Sequence, residues 1–345
     1  MRNPLNININ SFGLGISDNS LRAAKIKKEK SGLVLASFGR KEIGEEIIKN
    51  GKVQNEELLA SSIKDLLKKI KGEKIKTRHV AASLPEEKSF LHFIEMPRMN
   101  DEELKKAVIY EAENYIPLPL SEVYLDFQVI SSLKANKGNL NVLIVAQPKK
   151  IIDPFVSSLK KAGLFPVFLE IEPTSIARSL IVQKEKGGSF LLIDIGQTKT
   201  SFIIFYEGLI RFTSSIFIPL KDFAKADRIS SAEEKEPRVD GAETKEALLP
   251  VLDKIVEAAQ KHLKYYDSYT SAGQNGKAEN ISKIIISGSN ANLKNLPNLL
   301  SEKLQINTET GNPFANFSKG SQKISDSEAL SYSTAFGLAL QGFEL

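Results

Sequence analysis

The chain has 345 residues, of which 41% are hydrophobic and 26% are charged, enough to bury more than one core. No apolar run approaches the roughly 18 residues that cross a bilayer, and the first ten residues, MRNPLNININ, contain no apolar signal-peptide core. These features predict a cytoplasmic protein. Cysteine is absent and His79, His92 and His262 are widely spaced, which excludes disulfides and Cys- or His-based zinc sites.

The formal net charge is +5, from 47 basic and 42 acidic residues, and several of the basic residues lie between positions 64 and 78. No aromatic residue is interleaved with them, and apolar residues such as Leu59, Ile63 and Leu66 recur there at helical spacing. This pattern predicts the solvated face of a helix rather than a nucleic-acid surface. We expect no nucleic-acid partner.

Two segments of the chain repeat the same order of strands and turns. One begins at Phe12 with FGLGISDNSLRAAKI, and the other begins at Phe190 with FLLIDIGQTKTSFII. Each reads as strand, polar turn, strand, Gly-containing turn and strand. Both resemble the opening β-meander of the actin-like superfamily, in which two lobes face a nucleotide cleft and strand turns point backbone N–H groups at phosphates.

A small α/β insert is predicted between the two segments. HVAASL and SFLHFIEMP read as strands, and Asn100 followed by Glu103 has the spacing of a helix capping box. The helix ends at IPLPL because proline cannot continue it, and the strands VYLDFQVI and LNVLIVAQ complete the insert. The residues expected on the apolar face of this helix are Leu104, Val108, Ala112 and Tyr115.

The later part of the chain contains a highly charged segment. Between Lys221 and Ala247, 14 of 27 residues are charged, so the segment is too polar to pack a core and is predicted to be a mobile loop. A long helix is expected from about Thr244 to Tyr266. The strand KIIIS then leads into the turn GSN and a helix that ends at Leu304.

The order and spacing of several motifs resemble the PilM family, cytoplasmic actin-like proteins of type IV pilus assembly that are related to the cell-division protein FtsA. The insert carries IEMPRMNDEEL, YEAENYIPLPL and YLDFQVI, and the family's later motifs are matched by FLEIEPTSIAR, LLIDIGQTKTS, IIISGSNANL and STAFGLALQG. The resemblance spans most of the chain and weakens at 217–280.

The resemblance implies an α/β, actin-like (RNase H-like) fold with two lobes and an inserted small α/β subdomain. The expected division is 1–84 for the start of the first lobe, 85–148 for the insert, 149–187 for the rest of the first lobe, 188–312 for the second lobe with a reduced, loop-rich subdomain at 217–280, and 313–345 for a segment returning to the first lobe.

The resemblance also implies a site for ATP or ADP with Mg²⁺ on three turns. Asp194 would hold the hydrated Mg²⁺, because a carboxylate at a strand end can neutralise phosphate charge through the metal. Glu172 is the candidate catalytic group that orients the attacking water, although the helix dipole alone also favours an acid there. The expected nucleotide contacts are Ser17, Asp18, Asn19, Ser20, Asp194, Gly196, Gln197, Thr198, Lys199, Thr200, Gly288, Ser289 and Asn290.

The first of these turns departs from the family's pattern. Where the family has an aspartate this chain has Gly15, and where it has a glycine this chain has Ser17. Loss of one of two carboxylates that share a hydrated metal weakens transition-state stabilisation, whereas backbone donors can still bind the ground-state nucleotide. The sequence therefore predicts a nucleotide-binding, or even nucleotide-free, scaffold with weak or absent ATPase activity.

The partner that the resemblance implies is the cytoplasmic N-terminal peptide of a PilN-like membrane protein, together with other proteins of the pilus assembly platform. The peptide would lie in a groove between the first lobe and the insert and gain affinity from main-chain pairing. The helix at 101–115 and IPLPL are candidates to line it, although most of their side chains are expected in the insert's own core. The protein would then reach the inner face of the plasma membrane only through its partner, and homo-oligomers are compatible with the fold.

Two other functions fit the same superfamily. A sugar or small-molecule kinase needs an aspartate that deprotonates the acceptor hydroxyl, but Asp126 lies inside a predicted strand with no Gly-rich turn beside it. An FtsA-like filament protein would be tethered by a basic amphipathic C-terminal helix, but no Lys or Arg follows Lys323. Both alternatives are less well supported than the pilus scaffold.

Overall fold

A computed structural model gives the positions of most of the chain. It describes residues 10–130, 139–182, 185, 187–218, 241–272, 280–293, 295–318 and 324–343. The sequence predicts that the charged segment is a mobile loop. Up to position 240, this segment lies outside the described residues. From Gly241 onward the backbone is helical, so the long helix begins before Thr244 and continues to Ala272.

The strands and helices follow the predicted order along the chain. The strands are β1 Phe12–Ile16, β2 Ser20–Glu29, β3 Gly32–Glu42, β4 Ile48–Lys49, β5 Lys52–Val53, β6 Lys71–Gly72, β7 His79–Leu84, β8 Phe90–Pro97, β9 Val123–Ile130, β10 Asn139–Pro148, β11 Phe165–Ile171, β12 Ser189–Ile195, β13 Lys199–Tyr206, β14 Leu209–Phe217, β15 Lys283–Ser287 and β16 Thr308–Thr310. The α-helices are α1 Glu56–Lys68, α2 Asp101–Ala112, α3 Lys149–Lys161, α4 Glu172–Leu180, α5 Gly241–Ala272, α6 Leu296–Leu304, α7 Asp326–Leu330 and α8 Ser333–Leu340.

The two large sheets share the order of five strands, as the duplicated sequence pattern predicts, and β6 is an additional strand of the first sheet. One has the order β11-β7-β1-β2-β3-β6 and the other has the order β14-β13-β12-β15-β16. In the first sheet β1 is parallel to β7 and β7 to β11, and in the second β12 is parallel to β15 and β15 to β16. The turns that follow β1 and β12 therefore lie at equivalent carboxyl edges of the two sheets, the edge where open α/β sheets bind ligands.

The insert forms a separate antiparallel sheet of order β8-β10-β9, and α2 covers one of its faces. The predicted capping box is present, since Glu103 N donates to Asn100 Oδ1 (2.9 Å) and Asn100 N donates to Glu103 Oε2 (3.3 Å). The prediction for Tyr115 is wrong, because α2 ends at Ala112 and the Tyr115 ring is exposed and stacked on His92. The buried apolar face of α2 is formed by Leu104, Val108 and Ala112.

Compact packing divides the chain into two units. The first unit contains Met1–Lys25, Ala36–Glu172 and Leu338–Glu344, and the second contains Ile26–Leu35, Pro173–Gly337 and Leu345. In the first unit, α1 and α3 pack on the apolar face of β1 and β7. In the second unit, α5 and α6 pack on β12, β13 and β15. None of the described helices combines the length and apolar composition that a membrane span requires.

His262 of α5 is buried in the apolar interior of the second unit. Its ring lies 5.2 Å from the Phe202 ring and 5.1 Å from the Phe212 ring, measured between centroids. Within the described part of the chain, its buried Nε2 has no hydrogen-bond partner. Burial, followed by the positive charge of Lys261, lowers the pKa of His262 from its ordinary value. The folded state therefore favours the neutral imidazole.

We expect the free energy of unfolding to decrease as the pH falls below the ordinary histidine pKa of about 6.5. In this range the unfolded chain takes up a proton that the folded chain resists, and the effect is complete once the pH is below the lowered pKa of the folded state. Replacement of His262 by Leu should flatten this part of the pH dependence, measured as the Tm by circular dichroism between about pH 7.5 and about pH 5.

Tyr265→Leu is the matched control, because the Tyr265 ring also contacts Phe212, at 5.3 Å between centroids, but carries no imidazole. It should change the Tm while keeping the wild-type slope against pH. An unaltered slope in His262→Leu would contradict the assignment.

Candidate functional site

The five-stranded sheet brings two of the predicted turns together. We call residues 196–199, which follow β12, the second turn, and residues 288–290, which follow β15, the third turn. Because β12 and β15 are parallel neighbours, Asp194 lies opposite Ser287 and both turns leave the same edge of the sheet. Sequence-distant residues of the candidate site are therefore adjacent in the second unit.

Hydrogen bonds hold the second and third turns to each other. The Asn290 side chain donates from Nδ2 to the Gly196 carbonyl oxygen (2.6 Å), and the Asn290 backbone N–H donates to the Ile195 carbonyl oxygen (2.9 Å). Ser287 Oγ donates to Asp194 Oδ1 (2.6 Å). Ser287 is fully buried, so this bond fixes the direction of the Asp194 carboxylate.

Gly288 allows the third turn to lie directly against the end of β12. Its φ is +97°, a conformation that side chains rarely adopt, and a Cβ placed there would lie 2.5 Å from the carbonyl oxygen and 2.7 Å from the backbone nitrogen of Ile195. A Cβ at Gly196 would similarly lie 2.8 Å from the Lys199 carbonyl oxygen. At both positions the missing side chain lets backbone segments lie close together, which leaves the turns compact.

The other residues of these turns that the sequence predicts to contact the nucleotide differ in solvent exposure. Thr200 is fully buried opposite Ile195, and strand alternation puts it on the face of Phe202, which belongs to the hydrophobic core. Its hydroxyl is therefore on the opposite face from Asp194, and we leave Thr200 out of the proposed site. The partly exposed residues are Gln197, Thr198, Lys199, Ser289 and Asn290.

The first turn, residues 17–20 between β1 and β2, belongs to the first unit. It is closed by its own hydrogen bonds: Ser17 N donates to Ser20 O (3.0 Å), and the hydroxyls of Ser17 and Ser20 lie 2.9 Å apart. Ser17 Oγ also lies within hydrogen-bond distance of Asn19 Oδ1 (3.2 Å). The turn therefore presents small polar groups at the carboxyl edge of the first sheet.

The Asp18 carboxylate contacts the backbone of a neighbouring turn. Its Oδ1 accepts a hydrogen bond from the backbone N–H of Gly51 (2.9 Å), in the connection between β4 and β5. Sequence alone left the direction of Asp18 open. The structure assigns it to support of a neighbouring turn.

The carboxylates considered for catalysis lie apart from these turns in sequence. Glu172 is half-buried and forms the first residue of α4, where the helix dipole favours an acid. Asp126 is exposed in β9, and its Oδ1 accepts a hydrogen bond from Phe127 N (2.9 Å). Asp126 is thus exposed and bonded within its own strand, which does not favour it as the base of a kinase.

In the described part of the second unit, Asp194 fits a nucleotide-bound Mg²⁺. Mg²⁺ is usually held by one or two carboxylates together with phosphates and waters, so Asp194 fits as a single protein ligand of a nucleotide-bound ion. Among the described residues no group of three or more acidic, His or Cys side chains could hold a metal by itself. If a nucleotide and its ion bind, the ion would neutralise phosphate charge beside Asp194.

Sequence reasoning missed Ser287 and Arg22. Ser287 precedes the third turn, and its role follows only from the register of β12 and β15. Arg22 follows the first turn in β2, where its Nη1 donates to Ser20 Oγ. The strand pairing predicted for the first segment could have identified Arg22, since it lies directly opposite Gly15.

The two matching sheets, with their strand-end turns, place the protein in the actin-like class of α/β folds. The chain belongs to the PilM family, because the family model described as type IV pilus assembly protein PilM matches residues 13–216 and 230–343. The predictions of family and fold class are thus confirmed.

Two solved structures with TM-scores above 0.5 show the same fold. A PilM-PilN type IV pilus biogenesis complex has a TM-score of 0.79 and 24% identity, covering 98% of this chain and 100% of that chain. The ethanolamine utilization protein EutJ from Carboxydothermus hydrogenoformans has a TM-score of 0.55 and 14% identity, with coverages of 96% and 89%. MreB5 of Spiroplasma citri bound to ADP is more distant, with a TM-score of 0.47, 11% identity and coverages of 95% and 95%.

We expect Gly288→Ala to lower the free energy of unfolding by about 3 kcal/mol or more, because it adds a backbone clash to the strain of a positive φ. Gly208→Ala is the matched control: Gly208 has a φ of +82°, but a Cβ there would meet nothing within 4 Å. Strain alone should cost that variant about 1–2 kcal/mol. Urea denaturation measures both, and equal losses would show that the third turn does not lie against Ile195.

Proposed function

We propose that this protein is a scaffold of the inner-membrane assembly platform of a type IV pilus, or of a related secretion system, and that it binds the cytoplasmic N-terminal peptide of a PilN-like membrane protein. The proposal rests on the match to the PilM family model along most of the chain. The chain also has the same fold as a solved PilM-PilN complex, which supports the proposal. The protein would be cytoplasmic and would reach the membrane through this partner.

We assign the peptide to the face of the insert sheet that α2 does not cover. The apolar side of α2 is buried in the insert's own core, as expected, so it does not line a groove. On the other face of the sheet, β8 and β10 contribute cross-strand apolar pairs whose side chains are half-buried. We call these residues the apolar strip: Leu91 opposite Val145, and Phe93 opposite Leu143.

The apolar strip lies on the side of the insert that is tied to α3. Tyr124 of β9, on the same face as the strip, donates from its hydroxyl to Asp153 Oδ1 (2.8 Å). Lys149 Nζ donates to the Ser121 carbonyl oxygen (2.7 Å) and lies 5.6 Å from the centroid of the Tyr124 ring. These contacts support a peptide groove within the first unit, between the strip and α3.

Strand pairing gives an extended peptide a further source of affinity. Among the described strands β8 pairs only with β10, so its outer edge presents backbone donors and acceptors. A peptide that adds to this edge would form main-chain hydrogen bonds and place alternate side chains on the apolar strip. No chemistry is required of the protein for this role.

A synthetic peptide with the cytoplasmic N-terminal sequence of the PilN-like partner should bind the purified protein with micromolar or better affinity in calorimetry. Phe93→Ala combined with Leu143→Ala should weaken binding by about tenfold or more, because such side chains would be central contacts of the interface. Ile109→Ala, a change at a side chain of α2 that is 49% exposed, is the control and should bind as wild type.

Failure of the wild-type protein to bind the peptide at high concentration would contradict the scaffold proposal. Binding that is equally strong in the double variant would instead place the peptide on another surface.

We further propose that the second and third turns bind ATP or ADP with little turnover. Asn290 and Ser287 preorganise these turns, and Asp194 is positioned to meet a nucleotide-bound ion. Gly196 and Gly288 would permit the backbone to approach the nucleotide closely. The Ser289 side chain would narrow the pocket for the adenosine. The nucleotide would stabilise the scaffold, with Glu172 as the candidate for orienting water in whatever slow hydrolysis occurs.

We also propose residues 85–148 as a subdomain of their own within the first unit. Its support is the separate hydrophobic core between α2 and the β8-β10-β9 sheet. The other boundaries expected from the sequence, at 149–187, 188–312 and 313–345, remain part of this proposal.

We expect ATP hydrolysis far below the 1–100 s⁻¹ typical of kinases, because the first turn supplies no second carboxylate. A coupled assay of phosphate release measures this rate. Turnover at ordinary kinase rates that Asp194→Ala abolishes would contradict the proposal, whereas an equally slow background rate in both proteins would support it.

A further inference from the structure

One segment of the first unit holds the whole excess of positive charge in the chain. Residues 64–78, which we call the basic segment, contain seven Lys or Arg residues and two acidic residues. The resulting formal charge of +5 equals that of the entire chain, so the rest of the chain is balanced. The basic residues of the segment are Lys64, Lys68, Lys69, Lys71, Lys74, Lys76 and Arg78.

Main-chain contacts hold the basic segment against the first sheet. β6 lies in the middle of the segment and pairs with β3. Glu73 N donates to the Ala36 carbonyl oxygen (3.1 Å), and a Cβ at Gly72, whose φ is +89°, would clash with the same oxygen. At the end of the segment, the Arg78 carbonyl oxygen accepts a hydrogen bond from Phe165 N (2.8 Å). The backbone that carries the charges is therefore fixed.

The apolar side chains of the basic segment face the core, whereas its charges face solvent. Ile70 and Ile75 are half-buried and pack on the core of the first unit. All seven basic residues are exposed. One of the two acids, Asp65, is paired with Lys41 Nζ (2.9 Å) and with Lys68 Nζ (3.6 Å). The segment thus presents a cluster of lysines whose neighbouring isoleucines are used for folding.

This arrangement suits the headgroups of an anionic bilayer. Six of the seven basic residues are lysines, whose ammonium groups are compact point charges without the planar fork by which arginine grips a single phosphate. Attraction to an anionic membrane requires only that such charges lie near its surface. Surfaces that bind single-stranded nucleic acid add aromatic groups on which bases stack, and residues 64–78 contain no aromatic residue.

We propose that the basic segment docks on anionic lipid headgroups at the cytoplasmic surface of the membrane. The inference rests on the proposed function, which brings the protein to this membrane through its partner, and it adds a direct electrostatic contact. Because a bound partner peptide raises the local concentration of headgroups at the segment, two weak contacts together give firm attachment.

The lipid contact and the peptide site occupy different ends of a strand. β7 begins directly after the basic segment, and its six residues extend about 20 Å toward the insert. A bilayer contact at the segment therefore does not occupy the apolar strip. The two contacts can be tested separately on the same protein.

Sedimentation of the full-length protein with vesicles tests the proposal. Vesicles of phosphatidylcholine mixed with phosphatidylglycerol should bind the protein, and vesicles of phosphatidylcholine alone should not. Binding should fall by about tenfold or more when the ionic strength rises from about 0.01 M to about 0.15 M, because the Debye length shortens from about 30 Å to about 8 Å. This dependence on salt distinguishes headgroup attraction from insertion of an apolar helix.

A triple variant locates the contact in the basic segment. Lys69→Gln, Lys74→Gln and Lys76→Gln combined should weaken binding to the mixed vesicles by about tenfold or more, since each basic residue near an anionic surface contributes about fivefold. All three side chains are exposed, so the fold should be retained. Thermal unfolding checks this.

The matched control removes three positive charges from elsewhere in the first unit. Lys52→Gln, Lys105→Gln and Lys106→Gln combined give the same net charge as the first triple variant, and these lysines are also exposed. This control should bind the mixed vesicles as the wild type does.

Several outcomes would overturn the proposal. They are equal losses in the two triple variants, binding that salt does not weaken, equal binding of phosphatidylcholine vesicles, and absence of binding to either kind of vesicle. Tighter binding of duplex DNA or of polyglutamate than of mixed vesicles, in the same buffer, would assign the segment to nucleic acid or to an acidic protein instead.

Calorimetry with the partner peptide separates this proposal from the proposed function. The triple variant of the basic segment should bind the peptide as the wild type does. If vesicle binding fails while peptide binding persists, the lipid contact is overturned and the scaffold function stands. If the wild-type protein binds mixed vesicles through the segment but does not bind the peptide, the lipid contact is supported and the scaffold function is overturned.

Discussion

The close approach of Gly288 to the Ile195 backbone is the constraint on which the candidate site depends. Only a residue without a side chain allows the chain to leave β15 so near the end of β12. This approach brings the Asn290 amide within reach of the Gly196 carbonyl oxygen. The parallel pairing that precedes it sets Ser287 beside Asp194. The steric requirement at Gly288 thus positions the backbone turn, and the strand pairing before it positions the carboxylate.

The equivalent edge of the first sheet has the same topology and different chemistry. There the hairpin turn is closed by Ser17 and Ser20, its acid supports a neighbouring loop, and Arg22 supplies the charge. The hydrogen bonds at each edge are ground-state contacts, which favour binding, whereas catalysis needs interactions that strengthen in the transition state.

Most of the fold could be predicted because its signals are local. The capping box at Asn100 and the alternation of the strands specify elements within a few residues. Tyr115 was assigned wrongly because apolar periodicity continues past the residue where the helix ends. The direction of Asp18 and the role of Ser287 could not be predicted, since their partners lie far away in sequence and are brought near only by strand register. Pattern alone also cannot tell which face of a small sheet a helix covers.

The insert shows how a binding function can be added without altering the sheets that carry the nucleotide turns. α2 and the β8-β10-β9 sheet bury a core of their own, and Leu91, Phe93 and their cross-strand partners lie half-buried on the other face of the sheet. In the proposed function the exposed part of these side chains contacts the peptide. The hydrogen bond between Tyr124 and Asp153 ties this face to α3 and so to the first sheet. A peptide bound there would be held by a rigid surface, which lowers the entropy cost of its binding.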